Sequence, residues 1–321
     1  MLTDVATPQP VMGQRLLELI GHTPLLRLER LERGFPGVRL FAKAEWANPG
    51  GSVKDRAAAS IIADAEAAGR LREGTTLLDA TSGNTGVAYA MIAAAKGYRA
   101  TLCVPKNANP QVLGLLKAYG AEVILTAPMQ GSDGAIREAR RLAAEYPNRF
   151  LYLDQYNNPA NWRAHYRTTA VEIWEQTHGT VTHFVAGLGT TGTFTGTSRR
   201  LKELAPQLRA IAVQPDAPLH GLEGLKHLDS AIVPGIYDPS VPDETLLIST
   251  DAAYEALTRL IEEEGMLAGP SSGAAFAASL QVASRLVSTS RDTPAVVVMV
   301  FPDAGARYVT EGLFHRSAPA R

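Results

Sequence analysis

Lys54 stands in the segment NPGGSVKDR (48–56), between a Gly-Gly turn and an alanine-rich stretch, with apolar Val53 before it. Most lysines are solvated surface charges. One held at a tight glycine turn beside apolar residues can be partly desolvated. That lowers its pKa and leaves a neutral amine able to attack an aldehyde. Asp55 and Arg56, which follow, read equally well as a pair or a cap.

Two further glycine-rich segments fall where a loop meets a helix-like stretch. TSGNTG (81–86) follows the apolar run LLDA and opens VAYAMIAAAK. It offers hydroxyls and backbone N–H groups at a helix start, a nest that holds a carboxylate as readily as a phosphate. It also reads as an ordinary Ser/Asn cap. GLGTTGTFTG (187–196) follows THFVAG. Gly189 and Gly192 let backbone approach a ligand closely, and Thr190, Thr191 and Thr193 add hydroxyl donors. Unpaired N–H groups and the helix dipole make such a junction attract a phosphate monoester. As a bare feature it is also a tight turn. No lysine follows the last glycine, so it is not a Walker loop. Gly187, Gly189 and Gly192 approach a dinucleotide fingerprint, but no ~30-residue unit with an acidic ribose partner completes it. A nicotinamide reading stays as a rival. In a fourth segment, MLAGPSSGAA (266–275), Ser271 and Ser272 precede a glycine at another helix start. A serine hydroxyl there would be a mild partner for a pyridine nitrogen. Together the four segments fit one ligand: an aldehyde-bearing ring with a phosphate arm, next to an amino-acid carboxylate.

Stretches able to hold these segments alternate along the chain. Strands are expected at 38–43, 75–80, 100–104, 121–126, 182–187, 209–214 and 295–300. Most are continuously apolar, as in a parallel sheet covered on both faces. Helices are expected at 56–69, 84–96, 110–119, 132–146, 160–177, 192–204, 251–264 and 273–287. The alternation predicts an α/β fold with open, doubly wound sheets.

At 321 residues, one large domain or two are expected. Thirty-one basic against 32 acidic residues give a net charge of -1, so nothing marks a nucleic-acid or membrane partner. A single cysteine, Cys103, excludes an intrachain disulfide and reads as a small buried hydrophobe. No secretory signal precedes a loose N-terminal tail, and RSAPAR reads as a frayed end. Seven histidines show no metal-ligand spacing, so neither metal nor haem is expected.

The motifs GHTPLLRL (21–28), NPGGSVKDR, TSGNTG, DQYNNPAN (154–161), HFVAGLGTTGTFTG (183–196) and GPSSGAA (269–275) resemble, in order and spacing, the cysteine synthase group of fold-type II pyridoxal-phosphate enzymes. The resemblance runs from about Leu16 to Gly312. It implies a tryptophan synthase β-like fold: two doubly wound domains with pyridoxal 5'-phosphate in the cleft between them. The small domain would be 50–158, with 1–49 and 159–321 forming the large one. Lys54 would carry the cofactor as a Schiff base. Asn84 would hydrogen-bond the ring hydroxyl, Gly189, Thr190, Thr191, Gly192 and Thr193 would cradle the phosphate, and Ser271 would meet the ring nitrogen. Thr81, Ser82, Thr85 and Gln155 would hold the substrate carboxylate. The implied reaction is β-replacement on O-acetylserine or O-phosphoserine through an α-aminoacrylate, with Lys54 moving the α-proton. The donor would be a sulfide or thiocarboxylate, and the setting a cytoplasmic homodimer.

Cystathionine β-synthases and other fold-type II lyases and dehydratases share these motifs and remain an alternative. The Thr190-Thr191 pair resembles the B-type isozyme and its phosphoserine-using relatives. Those relatives place an arginine near HGLEGLKHLDSAIVP (220–234), where this chain has Lys226. A lysine is a point charge rather than a bidentate fork, so Lys226 reads either as a phosphate contact or as a solvent-facing side chain.

Overall fold

A computed structural model describes residues 14–287 and 293–309. The expected N-terminal tail and C-terminal RSAPAR lie largely or wholly outside those residues. The elements run β1 (Leu25–Arg27), β2 (Val38–Ala44), α1 (Lys54–Ala67), β3 (Thr76–Ala80), α2 (Asn84–Lys96), β4 (Arg99–Pro105), α3 (Pro110–Ala118), β5 (Glu122–Thr126) and α4 (Gly131–Glu145). They continue with β6 (Phe150–Tyr152), α5 (Ala160–Arg167), α6 (Thr169–Gln176), β7 (His183–Gly187), α7 (Gly192–Leu204), β8 (Arg209–Pro215), β9 (Glu244–Ile248), α8 (Thr250–Arg259), α9 (Pro270–Val287) and β10 (Ala295–Phe301).

The strands form two sheets. One has the order β5-β4-β3-β6 and is wholly parallel. The other has the order β1-β2-β10-β7-β8-β9, parallel except for β1, which runs antiparallel to β2. Both are covered on two faces. In β10, AVVVMVF is buried throughout, with Val297, Met299 and Phe301 in the core under α8 and α9. Val296, Val298 and Val300 enter the opposite core, with Phe184 and Phe194. The alternating side chains of one strand fill two cores, which is why these strands read as unbroken apolar runs. Cys103 is likewise fully buried, and burial pushes its thiol to about 12, so it packs as a hydrophobe.

Helix ends follow local chemistry. Asn109 caps α3 by accepting from Gln111 N at 2.7 Å, with Pro110 in the first turn. Gly97, at φ 76°, closes α2 in the left-handed conformation. The helix expected over 160–177 is broken at Thr168 into α5 and α6.

A buried ionic cluster ties α1 to the larger sheet. Arg56 pairs with Glu45 at 2.7 Å and Glu172 at 2.6 Å, and Lys43 reaches Glu172 at 2.7 Å. Burial pulls the Arg56 guanidinium down, but the two carboxylates more than offset it and keep it charged. Lys54 lies two residues away, so the cluster anchors the first turn that carries it.

Candidate active site

Lys54 opens α1 directly below the end of β10. Val53 N donates to Pro302 O at 2.8 Å, and Ser52 bridges to Asp303. This backbone stitch carries Lys54 into a cleft between the C-terminal ends of the two sheets, the place where open α/β sheets bind ligands. The side chain sits deep there, with part of it open to the cavity. Burial lowers its amine, opposed by Asp303 and Glu45.

The turn after β7 forms one wall. Thr191 has φ 69°, which swings the chain into α7. A Cβ at Gly189 would stand 2.2 Å from Gly224 O, and one at Gly192 would stand 2.0 Å from Asn161 Oδ1. Only glycine permits these approaches. Asn161 Nδ2 donates to Gln155 O at 2.7 Å and Thr190 Oγ1 at 3.2 Å, holding the loop from outside. Lys54, Asn84, Thr190, Thr191, Thr193 and Ser271 line the cavity that results. Thr191 Oγ1 is buried with no hydrogen-bond partner among the described residues. A 13-residue helix thus points its N-terminus, and an orphaned hydroxyl, at one enclosed spot.

The loop from β3 to α2 forms the facing wall. Thr81 Oγ1 accepts from Gly83 N at 3.1 Å and Gly86 N at 3.0 Å. Thr85 Oγ1 donates to Gln155 Oε1 at 2.8 Å, and Gln155 Nε2 donates to Ala80 O at 2.7 Å. Beneath them, the fully buried Asp79 accepts from Ala80 N at 2.8 Å and Gln155 N at 3.1 Å. Burial pushes Asp79 up to about 7 against the pull of those N–H groups. The hydroxyls of Thr81 and Thr85 therefore brace the loop, while Ser82 is exposed at the cavity.

Of the thirteen site residues expected from the sequence, all but Gly192 line this cleft. Gly192 lies between two that do. Lys226 is buried rather than solvent-facing. Its ammonium donates to Asp133 Oδ1 at 2.8 Å and Ser132 Oγ at 3.3 Å, and it sits 5.2 Å from the Tyr156 ring centroid. Its charge is already paired across the mouth of the cleft.

Sequence reasoning passed over Asp303, Arg307, Tyr308 and His165. Asp303 Oδ2 accepts from Asn84 Nδ2 and from Tyr308 Oη, both at 2.6 Å. Arg307 donates to Asn84 Oδ1 and to Gly50 O. A signal was present in PDAGARY, an acidic residue just past the C-terminal end of a buried parallel strand. His165, fully buried on α5, had none.

Residues 16–303 match the family model described as "Pyridoxal-phosphate dependent enzyme". A cysteine synthase of Aquifex aeolicus is 48% identical over 303 residues, 94% of this chain and 92% of that one. The chain belongs to this family. It is a pyridoxal-phosphate-dependent enzyme of the cysteine synthase group. Escherichia coli cysteine synthase B is 44% identical over 301 residues, covering 93% of this chain and 95% of its own. The crystal structure of cysteine synthase from Entamoeba histolytica superposes with a TM-score of 0.88 at 32% identity, covering 100% of this chain and 96% of that one.

The cleft fits the family's cofactor. A phosphate monoester suits the N-terminus of α7 and would satisfy the orphaned Thr191 hydroxyl. An aldehyde suits a lysine whose amine burial shifts toward its neutral, nucleophilic form. Ser271, 5% exposed at the start of α9, offers a neutral partner to a ring nitrogen.

Proposed function

We propose that this enzyme is a cysteine synthase, making L-cysteine by β-replacement on an activated serine with sulfide as donor. One observation carries the reading. A desolvated lysine, an anion cradle and a hydroxyl-bearing loop at a helix start converge on a single cleft. The relatives' names support it.

The cofactor, when bound, supplies an electron sink for charge developing at the α-carbon. In this reading Gly189 to Thr193 bind its phosphate, Asn84 its ring oxygen and Ser271 its ring nitrogen. Ser82 and the N–H groups opening α2 hold the substrate carboxylate, on a loop braced by Thr81, Thr85 and Gln155. Lys54 Nζ, its pKa lowered by burial, takes the α-proton and returns it once sulfur has added. The unit 50–158 moves toward the rest of the chain, excluding water from the cleft. The enzyme works as a cytoplasmic homodimer.

O-Acetylserine is the proposed substrate. Lys226 and Arg307 are the cations nearest the mouth besides Lys54, and each is committed, Lys226 to Asp133 and Arg307 to Asn84 and Gly50. A phosphoryl leaving group would have to displace one of those contacts.

Purified protein loaded with pyridoxal phosphate is titrated separately with O-acetylserine, O-phosphoserine and serine plus homocysteine, and its visible spectrum followed. A band that shifts with O-acetylserine, and cysteine formation on adding sulfide, are expected. A shift with O-phosphoserine alone overturns the substrate reading. Turnover only with homocysteine favours the cystathionine β-synthase alternative. No band in folded wild-type protein overturns the whole reading.

A further inference from the structure

Asn84 is gripped at both ends of its amide by charged residues. Its oxygen accepts from the Arg307 guanidinium, and its nitrogen donates to Asp303 Oδ2 at 2.6 Å. Each partner is itself held. Tyr308 Oη donates to Asp303 Oδ2 at 2.6 Å, and Arg307 also donates to Gly50 O, in the turn before Lys54. The Asp303 residue is 1% exposed, and its Oδ1 has no partner among the described residues. A Cβ at Gly269 would stand 2.0 Å from that oxygen, so the carboxylate is packed against backbone and cannot swing away.

An amide has two ends of opposite polarity and can turn over by half a rotation. Here, turning it over would set the amide oxygen against a buried carboxylate and the NH₂ against a guanidinium. Both contacts would be repulsive, and charge-assisted hydrogen bonds would be lost. One orientation is thereby imposed. In it, one Nδ2 hydrogen goes to Asp303, and the second is left for the cavity that Asn84 lines with Lys54 and Ser271.

We infer that Asp303 and Arg307 act as a charged clamp that fixes which end of the Asn84 amide meets the cofactor ring, and so sets the ring's ionisation state. They are positioning residues, acting through Asn84. The inference rests on the cofactor placement proposed above. A donated N–H stabilises the ionised ring oxygen, whereas a facing amide oxygen would stabilise its protonated form. These two forms absorb at different wavelengths, the ionised form at the longer.

The test uses full-length protein loaded with pyridoxal phosphate, with spectra and equilibrium cofactor affinity measured together. The variants are Asp303→Asn, Arg307→Gln, Asn84→Ala and the double variant Asn84→Ala/Asp303→Asn. The expected result is an about tenfold change in the ratio of the two bands toward the shorter wavelength for each single variant, the size that accompanies loss of one charge-assisted hydrogen bond. The double variant should change no further than Asn84→Ala alone. Wild-type spectra in both Asp303→Asn and Arg307→Gln overturn the inference. So does an Asp303→Asn effect that persists in full without Asn84. If Asp303→Asn does not fold by circular dichroism, Arg307→Gln and its double variant with Asn84→Ala decide by the same criteria. A wild type that never develops a band overturns the cofactor placement itself, and a band in wild type with unchanged variants overturns only the clamp.

Discussion

His165 Nε2 lies 3.2 Å from Thr193 Oγ1, while its Nδ1 lies 2.9 Å from Thr169 Oγ1. Burial first, then the charges of Arg56 and Lys54, holds the imidazole neutral, with Glu172 opposing. A neutral ring donates from only one nitrogen. In the tautomer in which Thr169 donates to Nδ1, Nε2–H donates to Thr193 and leaves the Thr193 hydroxyl proton for the cavity. Replacing His165 by Ala is expected to weaken cofactor binding about tenfold, in line with roughly 1–1.5 kcal/mol for one hydrogen bond. Fluorescence titration of the cofactor-free protein checks this, and unchanged affinity would refute it.

Lys54→Ala removes the amine without disturbing the backbone stitch to Pro302 and Asp303. Cysteine formation should fall below about a thousandth of wild type, while the melting temperature of the cofactor-free protein stays within a few degrees. Retained turnover would mean that another group moves the proton.

Arg56→Met leaves Glu45 and Glu172 buried without their cation. Breaking a buried pair on one side costs about 3–5 kcal/mol. Urea denaturation of the cofactor-free variant should show a loss of that order. Lys43 still reaches Glu172 at 2.7 Å, so the cost of an unpaired buried carboxylate falls mainly on Glu45. A loss under about 1 kcal/mol would show that the cluster contributes little.

Two buried carboxyls set a pH trend. Asp79 and Asp55 are both pushed to about 7, chiefly by burial, from 3.8. Between about pH 4 and pH 7 the folded protein holds protons that the unfolded chain has released. Their contribution to stability therefore falls as pH rises across that window. The cofactor-free protein should melt several degrees higher at pH 5.5 than at pH 8, and Asp79→Asn should reduce the difference. A melting temperature that rises over the same interval would contradict this.

Asp133→Asn removes the carboxylate that neutralises Lys226. The kcat/KM for O-phosphoserine relative to O-acetylserine should rise about tenfold, and Asp133→Asn/Lys226→Met should abolish the gain. No change in the ratio would place the leaving group elsewhere.

Seven of the ten described strands were legible: burial on both faces makes most of them unbroken apolar runs, as in AVVVMV, and β5 reads as apolar although it is only partly buried. The other three lack that signature. β1 and β6 have three residues each, and β9 at the sheet edge, ETLLI, opens on two polar residues and alternates half-buried with exposed positions before Ile248. The glycine-rich turns that meet at the cleft were legible because turn chemistry is local. Asp303 and His165 were not. Their roles depend on partners 219 and 28 residues away, Asn84 and Thr193, and nothing local marks such a meeting. Lys226 was found by position, but its pairing with Asp133 comes from the fold.

The last strand, β10, lies inside the larger sheet, between β2 and β7, with Ala295 beside Val38. During synthesis the four-stranded sheet has all its strands once residue 152 has left the ribosome. The larger sheet must wait, with the flanks of β2 and β7 unpaired, until residues 295–301 emerge. Asp303 and Arg307 follow that strand directly. A nascent chain therefore presents Lys54 and Asn84 long before their surroundings are complete, and a message truncated before residue 295 yields protein without a finished cleft.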